Sequence, residues 1–113
     1  ILKIHGNGNQ KVDYLHLSDA TAAIKLLLSL PAQNKIYDIG TAQPQTVNQI
    51  ARRVIIQTNN LIGRRTKLVH VPTPAENGYA RTSSRALRTL GWRPKISFNA
   101  GLKEVIQRYV QKN

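Results

Sequence analysis

The 113-residue chain carries 41% hydrophobic residues, no cysteine, no methionine and a formal charge of +12. Its length suits one modest core, its composition argues against disorder, and the lack of cysteine excludes disulfides and thiolate metal sites. No apolar run approaches the roughly 18 residues needed to span a membrane, so a soluble protein, cytoplasmic by default, is expected.

The charge is unevenly placed. Residues 1–50 hold four basic and three acidic side chains, whereas the remainder holds thirteen basic side chains against Glu76 and Glu104. A cationic second half attracts anions, be they nucleic acid, acidic partners or phosphorylated small molecules. The absence of methionine and the start at Ile1 give the expectation of an incomplete translation product.

Residues 2–4 alternate weakly and lead into HGNGNQ, where Gly6 and Gly8 favour a turn. VDYLHL reads as a short strand with Val12, Tyr14 and His16 on one face and Asp13, Leu15 and Leu17 on the other. Ser18 or Asp19 then offers an N-cap to a helix over 20–30 that ends before Pro31. Its apolar residues, among them Ala20, Ile24, Leu27, Leu28 and Leu30, cover nearly the whole circumference, so the helix needs cover on more than one side.

KIYDIG reads as a second strand closed by Gly40, and TAQPQ as a loop. Thr46 and Gln49 form a capping box for a helix to about residue 58, with Val47, Ile50, Ala51, Val54 and Ile55 at core spacing. TKLVHV is a third strand, stopped by Pro72 and Pro74. Thr82 is placed to cap a short helix that Gly91 terminates with Trp92 packed behind it. Ser97 caps the last helix, which sets Leu102, Val105, Ile106 and Tyr109 on one face. About three short strands and four helices in this order make a small mixed α/β unit, with residues 1–113 as a single domain.

Catalytic and metal chemistry leave little trace. His5, His16 and His70 and the five carboxylates are scattered, with no pair at the intervals that set two ligands on one helix face. His16 beside a capped helix, Asp19 as a cap and Tyr14 as a half-buried filler all have structural readings. Gly6 to Gly8 follows a stub of strand and opens no helix, so it is no dinucleotide fingerprint. Arg64, Arg65, Arg81, Arg85 and Arg88 border a proline-rich loop and helix starts, where guanidinium groups and free N–H groups suit a phosphate.

Four stretches, QKVDYLHLSDATAAI, IYDIGTAQPQTVNQIARRV, VPTP and TSSRALRTLGWRPKISFNAGLKEVI, together resemble the C-terminal, substrate-binding portion of the extended short-chain dehydrogenase/reductases. These are the NAD-dependent nucleotide-sugar epimerases and dehydratases, and the resemblance runs from about Gly6 to Tyr109. LGWRPKISFNAGL is its most specific part. The resemblance implies a substrate lobe without the N-terminal Rossmann domain. It implies NAD or NADP for a full-length relative and no cofactor in this chain. The family's Tyr-x-x-x-Lys pair is absent, because Tyr14, Tyr37, Tyr79 and Tyr109 all lack a lysine four residues on. No activity is therefore expected in isolation.

On the substrate side the resemblance points to Lys11, Tyr14, His16, Arg81 and Arg85 for a nucleotide sugar. Val12 stands where the family has a phosphate-gripping arginine, with Lys11 one position earlier. Arg85 falls where a lysine is common, and Thr82 replaces an aspartate. The implied function is a truncated or free-standing substrate-binding lobe. Two other classes remain open from the residues: an oligomerisation module, in which a second copy or a partner covers the helix over 20–30, and a basic nucleic-acid-binding domain. The latter has only 5% aromatic residues for stacking.

Overall fold

The computed structural model describes residues 1–74 and 82–112. Among them the order is β1 (Leu2–His5), β2 (Lys11–Val12), α1 (Leu17–Ser29), β3 (Gln45–Thr46), α2 (Val47–Ile62), β4 (Leu68–Val71), α3 (Arg85–Thr89) and α4 (Phe98–Lys112). The small mixed α/β class is thus as the sequence indicates. β1 and β4 run parallel with Leu2 opposite Leu68 and His5 opposite Val71. β2 and β3 form a short antiparallel pair, Lys11 opposite Thr46.

The glycine turn between β1 and β2 has Gly6 at φ +89° and Gly8 at φ +73°, a region glycine enters without a Cβ penalty. A side chain at Gly8 would collide with Asn48, whose amide Nδ2 donates to the Asn7 carbonyl at 2.9 Å and whose Oδ1 lies 2.7 Å from His70 Nε2. One residue of α2 therefore ties the turn to β4.

α2 starts on the full capping box: the Gln49 N–H donates to Thr46 Oγ1, and the Thr46 N–H donates to Gln49 Oε1. It ends at Gly63 in the left-handed conformation, about a turn later than expected. α4 begins after Ser97, whose Oγ accepts the Ala100 N–H at 3.2 Å. Gly91 at φ +95° stops α3.

The core is small. Ala23 of α1, Leu87 of α3 and Trp92 form its buried cluster, with Leu15, Leu26, Leu27, Tyr37 and Ile39 packed around it. Trp92 Nε1 donates to the Asp19 carbonyl at 3.0 Å, so the indole is both buried and satisfied.

Several local expectations change. KIYDIG is not a strand: no neighbouring strand pairs with it among the described residues, although Tyr37 and Ile39 still face the core and Ile36 is 95% exposed. A strand needs a ladder partner as well as a sequence pattern. His16, not Ser18 or Asp19, caps α1, its ring Nδ1 accepting the Ser18 N–H at 3.1 Å. Asp19 is drawn elsewhere, its carboxylate accepting the backbone N–H groups of Lys95 and Ile96 at 3.0 Å each. Ser84 takes the N-cap position of α3 in place of Thr82. Val105 and Tyr109 of α4 are exposed rather than core, whereas Leu102 and Ile106 of the same helix are partly buried.

Candidate functional site

Asp13 is the organising residue. Its Oδ2 accepts the N–H groups of Thr41 at 3.0 Å and Ala42 at 3.1 Å, and also the Thr82 hydroxyl. Its Oδ1 accepts the Thr41 hydroxyl. Gly40, buried just before this loop, has no room for a Cβ against Thr82 and the Asp13 carboxylate. Ala42 is held at φ +59°, where an L-residue is strained.

From the other side Arg88 reaches the same loop, Nη2 donating to the Thr41 carbonyl at 3.1 Å while Nε donates to the buried Ser84 hydroxyl at 2.9 Å. The carboxylate and the guanidinium thus fix residues 40–42 against the start of α3.

These groups frame an open cleft of about 470 Å³ lined by Ala42, Thr82, Ser83, Ser84, Arg85 and Arg88, with Thr89 at its end. Its chemistry suits an anion through the Ser83 hydroxyl, a half-buried Arg88 with donors to spare and an exposed Arg85 that has no acidic partner among the described residues, whereas the Thr82 hydroxyl already donates to Asp13.

A second cleft of about 390 Å³ lies beside β3 and the start of α4. There the Arg53 guanidinium sits 5.5 Å from the Phe98 ring centroid, and Tyr14 meets the same ring at 6.4 Å. Tyr14 is 57% exposed, so it is a surface contact, not a half-buried filler.

The expected site residues do not converge. Lys11 lies in the β2–β3 pair, Tyr14 lies against Phe98, and Arg85 lines the first cleft. His16 is engaged at both nitrogens: with Nδ1 accepting from Ser18, Nε2 carries the proton and donates to Glu104 Oε2 at 3.1 Å. Its ring lies on Gly101, where a Cβ would come within 3.0 Å of Cδ2. His16 thereby joins α1 to α4. Arg81 lies outside the described residues. Arg64 and Arg65 are exposed between α2 and β4, away from the cleft lining.

Sequence reasoning missed Asp13 and undervalued Arg88. Asp13 had one local signal, an acid placed on the apolar face of its stretch with Leu15 and Leu17.

Among the described residues no cluster of three metal-ligating side chains occurs, and no helix is long and apolar enough to cross a membrane. Nor do the residues fit a dinucleotide. The glycine turn after β1 runs into β2, not into a helix whose free N–H groups would face a pyrophosphate.

Fold and cleft together define a small α/β lobe with an open cleft lined by arginine and hydroxyl side chains. No family model matches the chain. In sequence, human dTDP-D-glucose 4,6-dehydratase is 30% identical over 110 residues, covering 94% of this chain and 31% of that protein. A putative UDP-glucose 4-epimerase of Methanocaldococcus jannaschii is 29% identical over 104 residues, covering 91% of this chain and 32% of its own length.

Solved structures agree. UDP-glucose 4-epimerase from Thermotoga maritima, determined with UDP-glucose, superposes with a TM-score of 0.82 at 26% identity over 98% of this chain and 35% of that one. dTDP-glucose 4,6-dehydratase from Bacillus anthracis, determined with NAD, gives 0.75 at 28% over 96% and 34%. The chain resembles, in sequence and in fold, the C-terminal portion of the extended short-chain dehydrogenase/reductases, the nucleotide-sugar epimerases and dehydratases. It spans about a third of the length of the relatives it matches.

Proposed function

We propose that residues 1–113 are the substrate-binding lobe of an NAD-dependent nucleotide-sugar epimerase/dehydratase-like protein. The lobe holds the phosphates of a nucleotide sugar and does no chemistry alone. The observation that carries this reading is the cleft between residues 40–42 and α3, where Arg85 is unpaired among the described residues and Arg88 retains donors beside the Ser83 hydroxyl.

The reading gives each part a role. Arg85 supplies a mobile cation to a diphosphate, Arg88 a fixed one, and Asp13 holds the loop that closes the cleft. Lys11, Tyr14 and His16 lie elsewhere, and Arg85 is the member of the expected set retained for ligand contact. The Tyr-x-x-x-Lys pair is absent from the sequence, and among the described residues no glycine-rich turn opens a helix to seat a hydride carrier.

Titration with UDP-, dTDP- and GDP-sugars, followed by ligand-observed NMR and calorimetry, tests the proposal. Binding is expected for the nucleotide diphosphate sugars and not for the free sugars, with Arg85→Ala weakening it about tenfold, as loss of one charged hydrogen bond predicts. No response at millimolar ligand refutes it.

A further inference from the structure

The second cleft, beside β3 and the start of α4, takes no part in the proposed function. Its volume of about 390 Å³ is near the lower end for small-molecule sites, and no acidic side chain lines it.

The polar groups of this cleft are incompletely paired. Arg53 has no carboxylate partner among the described residues, and its guanidinium, 5.5 Å from the Phe98 ring centroid, is held by a contact that uses none of its N–H donors. Gln49 spends Oε1 on the Thr46 N–H at 2.9 Å and keeps both amide hydrogens. Ser97 Oγ accepts the Ala100 N–H and keeps its own hydrogen to donate. Gln45 is the converse: its Oε1 is buried and has no donor among the described residues. Rotation about χ3, a soft torsion in glutamine, is the motion that brings this oxygen into the cleft that the residue lines. The frame itself is fastened. Gln57, one turn after Arg53 on α2, donates to the Asn99 carbonyl at 3.1 Å and ties that face of α2 to the start of α4.

We propose that this cleft binds a small hydroxy carboxylate, of which a sugar acid is the type. The inventory of donors and acceptors selects it. A single guanidinium matches a single carboxylate through a two-bond fork, whereas a phosphate dianion is better served by the two arginines of the first cleft. An ionised carboxylate only accepts, so Gln45 is satisfied when the ligand also carries a donor. Hydroxyl groups supply that donor, and they accept from Gln49 and Ser97 as well. A neutral sugar leaves Arg53 unpaired, and a simple carboxylate leaves Gln45 so. The site is separate from the cleft of Arg85 and Arg88 and does not rest on nucleotide-sugar binding there.

Amide-detected NMR of the full chain, titrated with D-glucuronate, D-galacturonate and D-gluconate, tests the proposal. Millimolar binding is expected, with shifts at the Arg53 Nε–H and at the side-chain amides of Gln45 and Gln49. Acetate, which has the charge without hydroxyls, and D-glucose, which has hydroxyls without the charge, are expected to bind about tenfold more weakly. Arg53→Lys keeps the charge and loses the fork, and should weaken the sugar acids about tenfold with unchanged far-UV circular dichroism. Arg85→Ala should leave their binding as it is. The proposal is overturned by no response to any of the three acids at millimolar ligand, by acetate or D-glucose binding as well as they do, or by indifference to Arg53→Lys.

Discussion

Asp13 offers a perturbation whose size can be worked from its bonds. Replacement by alanine removes the acceptor for two backbone N–H groups and two hydroxyls, of which the Ala42 N–H is exposed and the other three are partly buried. Hydroxyls can turn toward water, but the Thr41 and Ala42 N–H groups are fixed by the loop. The partly buried bond to the Thr41 N–H, at about 1.5–3 kcal/mol, with a smaller share from the exposed Ala42 N–H, gives an expected loss of about 2–4 kcal/mol. Asparagine behaves differently. Its carbonyl can occupy the Oδ2 position and keep three of the four bonds, while its NH₂ faces the Thr41 hydroxyl, which is able to accept. Asp13→Asn therefore should cost only about 1–2 kcal/mol, mostly for the lost charge. Urea unfolding followed by the fluorescence of Trp92, the single tryptophan, measures both. Amide exchange at Thr41 and Ala42 should accelerate in the alanine variant alone. Equal losses for Ala and Asn, or an alanine loss below about 1 kcal/mol, refute the assignment of Asp13 as the acceptor that holds the cleft loop.

Ala42→Gly is expected to raise stability by about 0.5–1 kcal/mol, since relief at φ +59° exceeds the added chain entropy; a fall in the urea midpoint contradicts this. Asp19→Ala should cost about 3–4 kcal/mol through the orphaned Lys95 and Ile96 N–H groups, read by thermal unfolding as a drop of ten degrees or more. Gly101→Ala should push the His16 ring from α4 and destabilise by about 1–2 kcal/mol despite alanine's better helix propensity, and NMR of the His16 side chain reports the displacement.

What was legible in the sequence is what local chemistry decides. Thr46 with Gln49, and Ser97 before α4, satisfy helix N–H groups three residues on, so their roles can be read from spacing. The apolar row Val47, Ile50, Ala51, Val54 and Ile55 is likewise turned inward as its period indicates. What failed depends on distant partners. Asp19 was a plausible cap, but N–H groups 76 and 77 residues away compete for its carboxylate, and His16 takes over the cap. KIYDIG has the alternation of a strand and lacks only a neighbour to pair with. Val105 and Tyr109 obey helical periodicity, yet a period says which side is apolar and not whether anything covers it. The cleft was half visible: the arginines are in the sequence, while the loop they face is set by Asp13, 28 residues before Thr41.

The stretch from Asp13 to Asp19 also shows where most of the described carboxylates are engaged. At three-residue intervals Asp13, His16 and Asp19 reach Thr82, Glu104 and the Lys95–Ile96 backbone, so one short segment fastens most of the later chain. Each fastening consumes a carboxylate. Of the four described carboxylates, Asp13 and Asp19 serve backbone or hydroxyl groups, and Glu104 serves His16 and Arg108. Asp38 alone is left for the surface. Arg108 is accordingly the one arginine with a carboxylate partner among the described residues. Hydrogen bonding leaves the charges of Asp13 and Asp19 in place, so the positive balance is set by the seventeen basic against five acidic side chains of the chain, and Arg85 and Arg88 have no carboxylate partner among the described residues.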